Sequence, residues 1–498
     1  MLCRLILSGL IPTLLLRAAD PIRPQDVVTL PEVHLGTPEI DLRLLNSYGT
    51  QPQEVQAFFV EARRELGGSK SASFATRPGL VTAARAAGLT HLGGPMLGRG
   101  RGDGASVWVR TLEPAAVEVV VSEHGSERRF GPVRSTADSD LAAVVPVGGL
   151  RPGRHPYRVL VDGRAITMPR DAAIEPYPKP EDSRSFRLAF GSCFHKRGLH
   201  NHAFLGRIRE AGSQALVLYG DLAVDDRDDH LGLHRSDYLL RDLATGWRQL
   251  TASVPVYAVW DDHDYFNNDR AGIPDGFTEA DRRGVRKVWM QNWNNPAYGL
   301  GEEGGGIFFR ARVGPADVIM LDTRYPREGR RGEGGSFLGG QQLAWLKKEL
   351  LACRGPFIVI TSGTMWSDDV SKGKDSWGTW KPGEREEIFS FIEAHRIPGV
   401  LLVSGDRHGA RAFRIPRPSG HVFYEFEPAS LGAVPGPPAM AEDPTRQLFG
   451  FVNRYAFGQF IFEPGLEDPT VTFRLIGEAG EVLHELQLTR SQLTPRIR

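Results

Sequence analysis

The chain has 498 residues, enough for two or more domains that each bury a core. Its 60 basic side chains balance 60 acidic ones, and no basic run is interleaved with aromatics. That composition argues against nucleic acid, other than as a possible substrate, or an anionic membrane as the main partner.

Residues 1–19 read as an export signal. Arg4 supplies the positive start, residues 5–16 form an apolar stretch, and Ala18-Ala19 offer small residues for cleavage. The stretch is shorter than the ~20 apolar residues that span a bilayer, and no later run is long enough to do so. The expected location is therefore the periplasm or the exterior. Loss of Cys3 with the signal leaves Cys193 and Cys353, which is no disulfide framework. The two could form a single bridge, or Cys193 could serve as a metal ligand.

Residues 20–89 read as a linker and a short helical preface. The first part, to about residue 40, is Pro-rich and aperiodic; Val55, Phe58, Phe59, Ala62 and Leu66 then share one helical face. A Gly-rich stretch at 92–104 breaks the pattern. Residues 90–175 carry short strands separated by Glu113-Pro114, Pro152-Gly153 and Asp162-Gly163, which predicts a β-sandwich of immunoglobulin or fibronectin type. A Pro-rich hinge at 176–180 follows.

From 184 to 490 strands alternate with helical patterns, the signature of a layered α/β domain. Strands are predicted at 186–190, 215–219, 256–260, 318–321, 357–361 and 400–404, with helices at 203–211, 278–292, 340–352 and 384–395. Runs at 422–426, 456–462 and 471–476 read as further strands, mostly antiparallel.

Five of the apolar runs end in chemistry. They lead to Phe190-Gly191-Ser192-Cys193, to Gly220-Asp221, to Trp260-Asp261-Asp262-His263-Asp264, to Asp322 with Arg324, and to Ser404-Gly405-Asp406-Arg407-His408. In α/β sheets, function gathers beyond the carboxyl ends of the strands. Thiolate, carboxylate and imidazole groups brought to one edge make a metal site, here one for a pair of ions. Arg324 could clamp a phosphate oxygen bidentately or pair with Asp322 or Glu328. A cysteine-nucleophile mechanism is disfavoured, because Leu199 stands where a C-x5-R phosphate loop needs Arg.

With these motifs in hand, the chain resembles the alkaline phosphatase D (PhoD-like) family of calcineurin-type metallophosphoesterases over about residues 90–480. Gly94-Pro95-Met96-Leu97, Val107-Trp108-Val109-Arg110, Leu321-Asp322-Thr323-Arg324 and Leu338-Gly339-Gly340-Gln341 fall in family order with the segments above. The resemblance implies an α/β/β/α sandwich behind the all-β domain. It also implies an enzyme that hydrolyses small phosphate monoesters or diesters with a metal-bridged hydroxide. Cys193 would bind the first metal, Asp221 would bridge, and Asp262 with Asp261 beside it would bind the second. Asp406 and His408 would complete the shell, and His263 would contact the phosphate or protonate the leaving oxygen.

Two departures bear on the metals. Val224 occupies a position where the family often has an iron-binding Tyr, with Asp225 or Asp226 as substitutes, and Thr361-Ser362-Gly363-Thr364-Met365-Trp366 lacks a His found in related enzymes. An oxygen-rich second site favours Ca²⁺, Mg²⁺ or Mn²⁺, while Cys193 and His408 suit iron or zinc. His195, His200 and His202 read as exposed loop histidines, Asn267 and Asn268 as a turn or outer ligands, and Trp366, Trp377 and Trp380 as rim or core. The alternative functions are a phosphodiesterase for an envelope or nucleotide substrate and a non-catalytic envelope-binding protein with a vestigial metal site.

Overall fold

A computed structural model describes residues 28–47, 50–123, 125–179, 182–329, 334–369, 375–434 and 443–496. The expected export signal lies outside these residues. Among them, no helix is long and apolar enough to cross a membrane.

The described residues begin with four α-helices: α1 (Leu30–Leu35), α2 (Pro38–Leu45), α3 (Gln53–Gly67) and α4 (Gly79–Ala86). The helical face expected near Val55 is α3. Residues 30–35 and 38–40, read as linker from their prolines, are helical instead. Pro31 and Pro38 fall in the first turns, behind Thr29 and Thr37 as N-caps, where a missing N–H costs nothing. Val33, Leu44, Phe58, Phe59 and Leu66 bury themselves in one apolar cluster with Leu239 and Leu240.

Next come β1 (Gly93–Arg101), β2 (Gly104–Arg110), β3 (Ala116–Glu123), β4 (Ser126–Arg134), β5 (Ala142–Val147) and β6 (His155–Val161), with two-residue strands β7 (Arg164–Ala165) and β8 (Ala173–Ile174). They form a β1-β2-β5 sheet and a β4-β3-β6-β7 sheet, with β8 on β6. The sheets share a core of Leu97, Val107, Val119, Val145 and Val159. The Gly-rich stretch, expected to interrupt the pattern, is β1 itself. Its glycines let another backbone come close: a Cβ at Gly98 would meet the Asn294 carbonyl oxygen at 2.2 Å. Asn294 in turn donates to the Met96 and Ser106 carbonyls at 3.2 and 2.9 Å.

The remaining strands are β9 (Phe186–Gly191), β10 (Ala215–Tyr219), β11 (Val256–Val259), β12 (Phe309–Val313), β13 (Ala316–Met320), β14 (Phe357–Ser362), β15 (Val400–Ser404), β16 (Ala410–Pro416), β17 (Val422–Pro428), β18 (Gln447–Phe451), β19 (Ala456–Glu463), β20 (Thr470–Gly477) and β21 (Val482–Thr489). One sheet runs β11-β10-β9-β19-β20-β21 and the other β12-β13-β14-β15-β17-β16-β18. Within them β9, β10 and β11 are parallel, as are β13, β14 and β15. Strands such as Ala215-Leu216-Val217-Leu218-Tyr219 are apolar throughout because both faces are covered.

The sheets meet face to face. Phe426 of β17 lies edge-on to Phe460 of β19 at 5.4 Å, and Phe357 of β14 contacts Phe462 at 5.2 Å. Helices α5 (His195–Leu199), α6 (His202–Glu210), α7 (Leu231–Leu243), α8 (Thr245–Thr251), α9 (Asp262–Tyr265) and α10 (Glu279–Asn292) belong to the first half of this unit. Helices α11 (Gly339–Ala352), α12 (Trp377–Trp380) and α13 (Pro382–Ala394) belong to the second. Phe204, Ile208 and Trp247 pack toward the first sheet; Leu346, Ile388 and Phe389 pack on Ile319, Ile358 and Ile360 of the second. The result is the expected α/β/β/α layering behind a β-rich module. Of the three tryptophans weighed for the rim, Trp366 and Trp377 are fully buried and stack on each other at 4.7 Å.

Candidate active site

Each candidate residue sits just past the carboxyl end of a parallel strand: Cys193 after β9, Asp221 after β10, Asp261 to Asp264 after β11, Asp322 and Arg324 after β13, Asp406 and His408 after β15. Cys193, His195, Asp221, Asp226, Asp406 and His408 all have φ between 46° and 69°. Non-glycine residues seldom adopt this left-handed conformation, and its clustering marks a functional site.

Two groups of ligand atoms converge. Cys193, Asp221 and His408 form one; Asp221, Asp261, Asp262 and Asp406 form the other, with ligand atoms in each group lying within 4.8 Å of one another. Asp221 belongs to both, and to a further group with Asp262 and His263. The Cys193 thiol lies 3.5 Å from Asp221 Oδ2. Asp221 Oδ1 and Asp262 Oδ1 are buried without a hydrogen-bond partner, an arrangement that is costly unless a cation satisfies them.

The electrostatics agree. Burial, and then the Asp262 charge, pushes the Asp221 carboxyl well above its usual range; burial with Asp375 and Asp262 does the same to Asp406. Burial pushes the Cys193 thiol up, and Asp221 adds to it. It also lowers His408 to about 3, so its imidazole is neutral and free to ligate. Bound cations would reverse these pressures, turning thiol and carboxyls into anionic ligands. The donor set fits a pair of metal ions.

Arg324 lies among the carboxylates. Its guanidinium grips both oxygens of Asp261, with Nη2 at 2.9 Å, and lies 3.7 Å from Asp262 and from Asp406 and 3.5 Å from Asp375. Neither expected ion-pair partner holds it: Asp322 accepts the Arg324 backbone N–H instead, and also the Trp260 indole N–H at 2.8 Å. Arg324 is fully buried. It holds Asp261 and balances charge, while its Nη1 has no hydrogen-bond partner.

His263 projects from α9. Burial opposes its protonation, but Asp262, Asp221 and Asp226 outweigh that and hold it well above the ordinary histidine range. Its Nδ1 is bonded to Asp226 at 2.7 Å. Asp264 accepts from the backbone N–H groups of Leu222, Ala223 and Val224 at 2.9–3.3 Å, shaping the turn after Asp221. Val224 is buried and supplies no ligand. Asp225 accepts from the Lys196 backbone N–H at 3.0 Å and pairs with His195 Nδ1.

Several expectations change here. His195 and His200 are buried, not exposed, and His195 Nε2 lies 3.9 Å from Asp221 Oδ2. Asn268 donates its backbone N–H to Asp226 at 3.0 Å, and Asp269 donates to Asp262 Oδ2 at 2.6 Å, so this loop supports the ligands through its backbone. Cys193 and Cys353 are both free thiols. Sequence reasoning missed His34, which α1 brings onto His263 with ring centroids 4.7 Å apart. It also missed Asp375, bonded to Arg327 at 2.6 Å. The capped Thr29-Leu30-Pro31-Glu32 turn was the available signal for the helix that carries His34.

Residues 223–457 match the model of the PhoD-like phosphatase family. They belong to that family. Residues 89–179 match a model described as a domain of unknown function, DUF7800. Among solved structures, the fold is similar to one of PhoD, at 18% identity and a TM-score of 0.64, covering 81% of this chain and 89% of that one. It is also similar to the purple acid phosphatase PPD1 from yellow lupin (Lupinus luteus) seeds, at 13% identity and a TM-score of 0.56, covering 80% of this chain and 74% of that one. No curated protein matches the chain. The match over residues 223–457 supports a metallophosphoesterase-type hydrolase.

Proposed function

We propose that the chain is an exported phosphoesterase whose site holds two metal ions sharing Asp221. The observation that carries this is the membership of one carboxylate in both ligand groups. Cys193 and His408 would hold an iron or zinc ion on one side. Asp262 and Asp406, with Asp261 beside them, would hold Ca²⁺, Mg²⁺ or Mn²⁺ on the other. When bound, such a pair supplies a water of lowered pKa and neutralises phosphoryl oxygens.

The chain's own residues do the rest. Arg324 keeps Asp261 fixed and offsets part of the carboxylate charge. Asp264 fixes the backbone after Asp221. His263, held through Nδ1 by Asp226, gives a proton to the departing ester oxygen. The Asp226 bond on Nδ1 leaves Nε2 as the nitrogen for that task. Phosphate monoesters and diesters are both within the reading.

Turnover of p-nitrophenyl phosphate and its bis ester provides the test. Hydrolysis of at least one should disappear with a chelator, return on adding metal, and be lost in Asp221→Asn. Chelator-resistant hydrolysis would refute the proposal.

A further inference from the structure

Beside the groups that share Asp221, three further side chains converge on His263, which also lies in a ligand group with Asp221 and Asp262. His34, His195, Asp225 and His263 each offer a ligand atom within 4.8 Å of the others. Ring centroids are 5.5 Å apart for His34 and His195, 4.7 Å for His34 and His263, and 4.8 Å for His195 and His263. Three imidazoles and a carboxylate are a donor set for late first-row divalent ions, rather than for the oxygen-seeking Ca²⁺ or Mg²⁺.

The donors are available. His195 is fully buried and its Nε2 has no partner; His34 Nε2 is also buried without one. Asp225 backs the other nitrogen of His195, the pairing that orients metal-binding imidazoles. His263 Nδ1 is taken by Asp226, which leaves Nε2.

The segment that brings His34 is pinned in place. Arg227 donates to the His34 carbonyl at 3.2 Å, and Arg63 to the Gly36 carbonyl at 2.6 Å. Gly36 has φ 53°, and a Cβ there would run into the Arg227 guanidinium. A ligand from a separate helix, held by two arginines, is organised before any ion arrives.

We propose that these four side chains bind one divalent ion of the zinc class, separate from the pair at Asp221, and that its binding inhibits hydrolysis by occupying the His263 nitrogen. The inhibitory part rests on the role given to His263 above; the binding part does not. Zinc is then both a possible constituent of the thiolate side and, in excess, a brake.

The test adds Zn²⁺ to the full-length holoenzyme, removes loosely held ions, and counts zinc and total metal per chain for wild type, His34→Ala and His34→Gln. His34 is partly exposed at a helix end, which makes both changes mild. Wild type should take up one zinc more than either variant. Without added zinc all three should turn over p-nitrophenyl phosphate equally. The zinc concentration that inhibits should rise by roughly tenfold or more in the variants. Variants with the same zinc content as the wild type overturn the site. Equal zinc sensitivity in all three overturns the inhibition. If no ester is hydrolysed by the wild type, the zinc counts still decide the site, and the failure belongs to the phosphoesterase reading.

Discussion

Asp221 is the residue both ligand groups depend on, because ligands delivered by β9, β11 and β15 meet at its carboxylate. Asp221→Asn keeps the volume and removes the charge. Turnover should fall by about 10²-fold or more, the scale expected when a group that organises transition-state charge is lost. Circular dichroism should stay unchanged. Arg324 has a different duty. It is buried against Asp261, Asp262, Asp375 and Asp406, so Arg324→Met leaves those charges uncompensated. Removing one member of a buried ion network costs about 3–5 kcal/mol, and urea unfolding should register a loss of that size. A loss of substrate affinity with unchanged stability would instead mean that the guanidinium meets the phosphate.

At the level of elements, the two N-terminal helices are tied to the site by buried charge. Lys196, three residues after Cys193, donates to Asp41 of α2 at 2.7 Å and to Asp237 of α7 at 3.1 Å. Asp41 also accepts from Arg63 of α3 at 3.0 Å. Asp41→Asn should destabilise the protein by about 3 kcal/mol, and hydrogen exchange should rise first over residues 30–45. Exchange spread evenly over the chain would mean that these helices are not a separate unit of stability.

The strands and their terminal motifs were legible because apolar runs ending in Asp, Cys or His have a simple physical meaning. The helix α7 was not. Its residues are buried nearly all round, with Arg235, Asp237, Arg241 and Asp242 paired inside, so its polar face meets buried partners and not solvent. The prolines of α1 and α2 read as a linker for a related reason: their place in the first turn shows only once the caps are recognised. His195 was read as exposed and His34 escaped notice, because burial in a loop, and delivery from a distant helix, leave no local pattern.

Over the whole molecule, two sheets present the carboxyl ends of their parallel strands to one place, and the cations they hold should act as fasteners between them. Each ion bound at about 100 times its Kd adds ~2.7 kcal/mol to stability. Chelation should therefore lower the melting temperature as well as abolish turnover, and metal should restore both. Asp221→Asn should melt at the chelated temperature whether or not metal is present. A chelated wild type that melts unchanged would leave the sheets held together without ions.

The most direct measurement is the metal content of the purified protein, determined in parallel for wild type and Asp221→Asn. Two or more tightly held ions per chain in the wild type, with fewer in the variant, is the result the shared carboxylate predicts. A wild type free of metal, or a variant that keeps the full complement, would contradict it.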